Sequence, residues 1–243
     1  MKIWYQSITD LREVPLYHQA LRGVLAELTP DQCEVRIIGL REGTFGGLPP
    51  VRALRDPQCY DDVASQVAEN AATAQREGFG ALVIGSFVAP GLLNARSKLD
   101  IPILSMAELV VLSARQMGKS TRLVSINSDQ MGMTSSLLAE LGLADGAVRT
   151  TRLDLADERD ISNAIRDPEP LCAAFVDACQ DDDLEQVIVP AEGILALVVR
   201  SAQLRAIRGR PVLDVFAISL SAAFAAARIP FSPSTSETIR SNT

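Results

Sequence analysis

The stretch Ala81–Ser105, "ALVIGSFVAPGLLNARSKLDIPILS", decides the fold that we predict from the sequence. Its apolar start, Ala81–Ile84, is typical of a strand buried on both faces of a parallel sheet. A Pro-Gly pair then turns the chain into a helical segment, and a second short strand follows at Ile103–Leu104. Ser86 stands at the tip of the first strand, where it can cap the helix, contact a ligand or attack one.

The same alternation of strand and helix signals runs through the rest of the chain. Helical spacing of apolar residues covers Leu16–Leu28 and Val63–Gln75. Strands that alternate with helices indicate an α/β fold with a parallel sheet and right-handed crossovers. The further predicted strands are Ile3–Gln6, Glu34–Ile38, Arg122–Ile126, Val187–Val189 and Val212–Leu213.

Two parts of the sequence also resemble each other, as an internal repeat would. "IWYQSITD" (Ile3–Asp10) is similar to "LVSINSDQ" (Leu123–Gln130), and Ala81–Leu104 is similar to Gln186–Leu213, whose helix is longer. Chance likeness between two βα units is the alternative. A true repeat predicts two pseudo-symmetric, flavodoxin-like parallel-sheet halves at 1–117 and 118–229. Part of the C-terminal end is expected to pack on the first half, and residues 230–243 are expected to form a flexible tail. Ligands of parallel sheets bind at the carboxyl ends of strands, so the active-site cleft is expected between the halves.

Composition excludes several classes of function. The 243 residues carry a net charge of −7, which disfavours nucleic acid and anionic membranes as partners. No segment reads as a signal peptide or a membrane span, so we predict a cytoplasmic protein. Four cysteines without a CxxC pair, beside a single histidine, do not predict a zinc site. The loop Gly43–Pro50, "GTFGGLPP", is either a lid over the cleft or a plain surface loop.

The strand tips resemble the aspartate/glutamate/hydantoin racemase superfamily, which also includes arylmalonate decarboxylases and maleate isomerases. Hydantoin-racemase-like members commonly read Cys-Phe-x-x-x-Gly-Leu at the first tip, and this chain has Ser86–Leu92, "SFVAPGL". Their second tip reads Gly-Cys-Ala-Gly-Met, where this chain has Pro190–Ile194, "PAEGI". The resemblance covers most of the chain and implies the two-halved fold.

The family's chemistry uses one cysteine on each face of a carbon atom beside a carbonyl or carboxylate. Ser86 and Ala191 stand at these two positions, so the resemblance does not imply racemisation by a thiol pair. Glu192 adjoins the second position and is our candidate acid/base, although a carboxylate in the first turn of a helix can simply favour the helix dipole. Ser86, with N–H groups near Phe87 and Gly91, is expected to bind an oxyanion; nucleophilic attack would need a base that the sequence does not place beside it.

The resemblance also implies that polar residues at the other tips hold the substrate. Their alternative role is to form turns. Gln6 stands where the family usually has Asn and is one methylene longer, which changes the contact it can make. The expected substrate-binding residues are Gln6, Ser7, Phe87, Gly91, Ser125, Asn127, Ser128, Ala191 and Gly193.

From these residues we expect an enzyme that needs no metal or organic cofactor. It would act on a small carboxylate, cyclic amide or ureide by proton transfer and oxyanion stabilisation. Isomerisation, lysis and hydrolysis all stay open, hydrolysis through a water molecule positioned by Glu192, and a non-catalytic binding protein is the remaining alternative. We also expect a homo-oligomer, although the apolar helices predicted at Glu108–Gln116 and Ile218–Ala227 can fill the core instead.

Overall fold

The computed structural model describes residues 1–126, 128–153, 163–180 and 186–229 of the chain. They form an α/β fold of two halves, each built on a parallel sheet, as predicted. The first sheet has the order β2-β1-β3-β4, and the second has the order β6-β5-β7. The strands are β1 (Lys2–Gln6), β2 (Glu34–Ile38), β3 (Ala81–Ile84), β4 (Ile103–Ser105), β5 (Ser120–Ser125), β6 (Val148–Arg152) and β7 (Gln186–Pro190).

Helices connect the strands and cover the sheets. A small antiparallel hairpin, β8 (Ala206–Ile207) and β9 (Arg210–Pro211), lies between the last two of them. None of the described helices combines the length and the apolar character needed to cross a bilayer. The helices are α1 (Pro15–Leu28), α2 (Pro50–Ala53), α3 (Pro57–Arg76), α4 (Leu92–Arg96), α5 (Met106–Gln116), α6 (Ser128–Glu140), α7 (Glu169–Asp177), α8 (Gly193–Ser201) and α9 (Val215–Ala226).

The two sheets repeat the same strand order, which supports the internal repeat. β1 and β5 are central, β2 and β6 lie on one side, and β3 and β7 lie on the other. The fourth position differs, because the expected strand Val212–Leu213 is only a single parallel bridge between Ile188 and Val212. Val212 donates its N–H to the carbonyl of Arg205, the residue just before the hairpin, at 2.9 Å, and Leu213 donates its N–H to the Ile188 carbonyl at 2.9 Å. The hairpin therefore takes the place of a full strand.

The C-terminal helix α9 belongs to the second repeat but packs on the first sheet. It contacts β3, β4, α1 and α5. Gly80 meets the end of this helix so closely that a Cβ there would lie 2.7 Å from the Ala227 Cβ. The apolar faces of α5 and α9 thus mainly fill the core, although Leu112 stays 39% exposed. The boundary at residue 117 separates the two sheets, whereas the division into domains stays a prediction.

The loop Gly43–Pro50 is fastened to the body of the first half. Phe45 is only 4% exposed and packs into the main core, whereas Leu48 is 55% exposed. The amide of Gln66 in α3 donates to the Thr44 hydroxyl at 3.1 Å. Beyond the loop, Arg55 forms an ion pair with Asp129 of α6 and so joins the two halves. These contacts fix one end of the loop; its role as a lid stays a prediction.

Candidate active site

The tip of β3 presents Ser86 in an otherwise buried run. Every residue of Ala81–Pro90 is buried except Ser86, which is partly exposed. The Ser86 hydroxyl oxygen accepts the Val88 N–H at 3.1 Å, so its position is fixed and its own hydrogen can still be donated. Among the described residues, the N–H groups of Phe87 and Gly91 have no hydrogen-bond acceptor. The tip therefore offers one hydroxyl and nearby amide donors to an anionic oxygen.

Backbone geometry at this tip depends on a glycine. Gly91 has a φ of +77°, and a Cβ on it would lie 2.6 Å from the Ala64 carbonyl oxygen of α3. Helix α4, which begins one residue later, has only five residues. A macrodipole from so short a helix is weak, because it sums few peptide units. Oxyanion binding here would therefore depend on individual donors of the loop rather than on the expected helix N-terminus.

The tip of β7 holds a buried carboxylate. Glu192 is 5% exposed, and its Oε1 accepts hydrogen bonds from the Ser125 hydroxyl at 2.8 Å and the Ile126 N–H at 3.1 Å. The Glu192 side chain thus lies over the tip of β5 instead of pointing to solvent. Both hydrogen bonds orient the carboxyl group, as a positioned general base requires. The side chain makes no cap hydrogen bond to α8, so capping does not explain its position.

Neighbouring contacts hold this second tip rigidly. Ala191 donates its N–H to Val124 at 2.7 Å, and its carbonyl accepts the Gln130 amide of α6 at 2.8 Å. Gly193, the first residue of α8, is partly exposed. Ser125 is 2% exposed, whereas Ser128 at the start of α6 is exposed. The remaining predicted residue of this loop, Asn127, lies outside the described residues.

The tip of β1 separates the two residues predicted there. The Gln6 amide is buried and engaged within the protein: its oxygen accepts the Trp4 indole N–H and the Asn70 amide, and its nitrogen donates to the Ser7 and Ile38 carbonyls. The Ser7 hydroxyl has no partner among the described residues. Ser7 is thus the better placed of the two to meet a ligand, and the binding role of both residues stays a prediction.

Ser86 and Glu192 stand on opposite halves, and no hydrogen bond joins them. Beside each tip, a tyrosine packs closely against a glycine. A Cβ on Gly85 would lie 2.3 Å from the Tyr5 Cζ, and a Cβ on Gly193 would lie 2.6 Å from the Tyr17 hydroxyl oxygen. Sequence reasoning missed Tyr17, because an aromatic residue in the apolar pattern of α1 reads as packing. The glycine that makes room for it is 176 residues away (193 − 17).

None of the four cysteines stands at the tip of β3 or β7. Cys59 of α3 approaches the Thr44 carbonyl at 4.0 Å, and Cys172 lies on α7. Burial raises the pKa of both thiols, which disfavours the reactive thiolate. Cys33 is partly buried and Cys179 is buried. In the described ranges, no three His, Cys, Asp or Glu side chains converge as metal ligands.

Comparison with known proteins identifies the sequence pattern. The family described as Asp/Glu/Hydantoin racemase matches residues 48–223, which is well over half of the chain and includes both Ser86 and Glu192. Among proteins with curated descriptions, none matches the chain significantly.

Solved structures share the fold at low sequence identity. Allantoin racemase from Klebsiella pneumoniae superposes with a TM-score of 0.71 at 17% identity, over 96% of this chain and 90% of that one. Glutamate racemase from Campylobacter jejuni subsp. jejuni gives 0.62 at 13% identity, over 96% and 88%. Arylmalonate decarboxylase gives 0.54 at 17% identity, over 96% of each chain. At these identities the likeness shows the fold alone.

Proposed function

The chain belongs to the Asp/Glu/hydantoin racemase family, and on this premise we propose that it is a cofactor-independent enzyme without the cysteine pair. Its substrate is a small carboxylate, cyclic amide or ureide, and its chemistry is proton transfer with oxyanion stabilisation. One observation carries the proposal: a buried carboxylate, Glu192, is fixed at the tip of β7 by Ser125 and Ile126, one residue after the position of the family's second thiol.

Glu192 moves the proton in this proposal. The carboxylate removes a proton from the carbon beside a carbonyl group, and the carbonyl oxygen gains the negative charge of the enolate. Two hydrogen bonds on Oε1 fix the direction of the carboxylate before the substrate arrives, so orienting it costs little during the reaction. Proton transfer by a positioned side chain contributes roughly 10²–10⁴-fold in rate.

The tip of β3 stabilises the enolate oxygen. Ser86 donates its hydroxyl hydrogen, and the Phe87 and Gly91 amides add N–H donors. Donors aimed at the developing charge stabilise the transition state more than the ground state. Ser86 is a weak candidate for attack, because the structure places no base beside its hydroxyl among the described residues. We therefore assign it oxyanion binding.

A single carboxylate favours some reactions over others. Racemisation by two bases needs an acid/base group on each face of the carbon, and the first tip carries a neutral hydroxyl instead. Isomerisation or C–C or C–N lysis through an enolate needs only Glu192 and the oxyanion donors. Hydrolysis of a cyclic amide by water positioned on Glu192 is the second enzymatic candidate. A binding protein without catalysis is the third, supported by the hydrogen bonds that already engage Glu192.

Access to the tips is narrow in this structure. Ser7 and Ser125 are each 2% exposed and Glu192 is 5% exposed. Grooves of about 370–480 Å³ lie elsewhere: between α5 and α9, along α1 and α8, and beside Gly39–Glu42. The groove between α5 and α9 also supports, as a proposal, a homo-oligomer formed through these helices.

The test is hydrogen exchange in deuterated water. Purified protein is incubated with hydantoins, imides and 2-substituted malonates, and deuterium incorporation and ring opening are followed by mass spectrometry. Glu192→Gln keeps the acceptor for Ser125 and Ile126 but removes the base, so it should abolish turnover and spare binding. Glu34→Gln, on the exposed end of β2, is the matched control. Unchanged turnover in Glu192→Gln would contradict the mechanism, and ring opening without exchange would favour the hydrolase.

A further inference from the structure

Tyr17 lies between the two halves at the cleft side of the molecule. It belongs to the first turn of α1, which begins at Pro15 just after the tip of β1. It packs against Gly193, the first residue of α8, just after the tip of β7. Because both helices start where parallel strands end, their first turns face the same edge as Ser86 and Glu192. Tyr17 is thus the side chain through which α1 meets the Glu192 tip.

The contact between Tyr17 and α8 is close. A Cβ on Gly193 would lie 2.6 Å from the Tyr17 hydroxyl oxygen and 3.4 Å from Cζ, a separation that real Cβ atoms do not accept. Glycine is therefore required at position 193 for the phenol to reach this place. A second tyrosine, Tyr5, packs in the same way against Gly85, the residue immediately before Ser86.

The two phenols differ in what their hydroxyl groups contact. The Tyr5 side chain is fully buried, and its hydroxyl donates to the Met106 sulfur at 3.9 Å. The Tyr17 hydroxyl makes no hydrogen bond to the described residues. It is also not fully shielded from solvent, so part of its surface is accessible to water.

The protonation state of Tyr17 suits a hydrogen-bond donor. Burial raises its pKa to about 12, so the phenol keeps its hydrogen throughout the physiological range. Burial raises the pKa of Tyr5 as well, and the nearby Tyr17 phenol raises it further. Two neighbouring phenols resist losing a proton more than one alone, because the second negative charge would repel the first.

We propose that the Tyr17 hydroxyl is a substrate-binding donor to the carbonyl oxygen of the small carboxylate, cyclic amide or ureide, in addition to the donors of the β3 tip. The inference rests on the function proposed above and adds a residue to it. When Glu192 takes the proton, the C–H electron pair forms the C=C bond and the carbonyl π pair moves onto oxygen. The Tyr17 O–H stays intact and donates to that oxygen.

The test compares Tyr17→Phe with Tyr60→Phe. The first variant keeps the ring against Gly193 and removes only the hydroxyl, and the second removes a phenol hydroxyl from α3 that has no part in the proposed mechanism. Hydantoin, succinimide and phenylmalonate are the probes, with calorimetry for binding and deuterium exchange for turnover. Loss of one oxyanion donor should lower kcat about 100-fold, and loss of one neutral hydrogen bond should weaken binding about fivefold. Tyr60→Phe should match the wild type.

The outcomes separate the two proposals. Tyr17→Phe with wild-type binding and kcat overturns the Tyr17 assignment and leaves the Glu192 chemistry standing. If the wild-type protein binds a probe but shows no deuterium exchange, the catalytic function is refuted. Weaker binding of that probe by Tyr17→Phe would then still support Tyr17 as a substrate-binding donor. Silence of the wild type with every probe, in binding and exchange alike, counts against both. Thermal unfolding of Tyr17→Phe close to that of the wild type confirms that the variant folds.

Discussion

Replacing Gly85 by Ala should strongly destabilise the protein, because the added methyl group has no room. An ideal Cβ would lie 2.3 Å from the Tyr5 Cζ and 2.4 Å from Cε1 and the hydroxyl oxygen. Non-bonded carbon atoms need about 3.5 Å, so the ring would have to withdraw by more than an ångström. Tyr5 is 0% exposed and cannot move into solvent.

The expected cost follows from two contributions. Overpacking a core costs about 1–3 kcal/mol, and displacing the Tyr5 hydroxyl from the Met106 sulfur adds up to about 1 kcal/mol. We expect the free energy of unfolding to fall by about 3 kcal/mol, which for a chain of this size lowers Tm by roughly 6–12 °C. Urea unfolding followed by circular dichroism measures the first quantity, and calorimetry measures the second.

Two further variants test the reasoning. Gly132→Ala in α6 is the matched control, because a Cβ there meets nothing within 4 Å. It should stabilise the protein by about 0.5–1 kcal/mol through helix propensity. Tyr5→Leu removes the atoms that collide, so the Gly85→Ala/Tyr5→Leu double variant should show a favourable coupling of more than about 1 kcal/mol. A Gly85→Ala protein within about 0.5 kcal/mol of the wild type would refute the steric argument.

Two other changes test the polar contacts. Ser125→Ala removes a hydrogen bond to the Glu192 carboxylate, so we expect kcat for deuterium exchange to fall about tenfold; an unaltered kcat would show that Ser125 does not orient the base. Hydrogen bonds from Arg12 lower the pKa of Asp10 below its ordinary value of 3.8, so this carboxylate stabilises the fold fully above that value and the effect is lost as the pH falls through the lower native pKa. Asp10→Asn should therefore reduce stability in urea at neutral pH, by a margin that disappears in strong acid, and a margin independent of pH would contradict this origin.

Two strands of the first sheet could be predicted closely from the sequence. Glu34–Ile38 and Ala81–Ile84 have the predicted bounds, and for the buried Ala81–Ile84 a continuous apolar run between turn signals leaves few alternatives. Helix α3 begins at Pro57, six residues before the predicted start at Val63. Its cap, Asp56, accepts the Gln58 and Cys59 N–H groups, a signal that apolar spacing alone does not reveal.

The sequence did not predict the edge of the second sheet. β6, "VRTTR", is a polar strand whose residues are partly or fully exposed, so it carries no apolar run. The hairpin of β8 and β9 has two residues in each strand and replaces most of the strand expected at Val212–Leu213. β6 is held by pairing with β5, in which Thr121 is the partner of Val148, and composition does not report such a contact. The hairpin pairs only within itself and is too short to give a strand pattern.

The candidate site was predictable in position but not in orientation. Strand ends in a parallel sheet place Ser86 and Glu192 at tips, which follows from the pattern. That Glu192 turns toward Ser125 and Ile126 depends on a contact across 67 residues, and that the Gln6 amide turns toward Asn70 depends on one across 64. Side-chain direction at a tip is a tertiary property. The chemical roles of these residues stay predictions until exchange is measured.

The position of α9 has a consequence for the order in which the chain matures on the ribosome. The first sheet is complete once residue 105 has been synthesised, yet the helix that covers β3 and β4 comes from residues 215–226. Until that helix emerges, one apolar face of the nascent first half has no cover. We therefore expect the first half to depend on chaperones or on loose, non-native contacts during most of translation, and to reach its native packing only after the second repeat has been made.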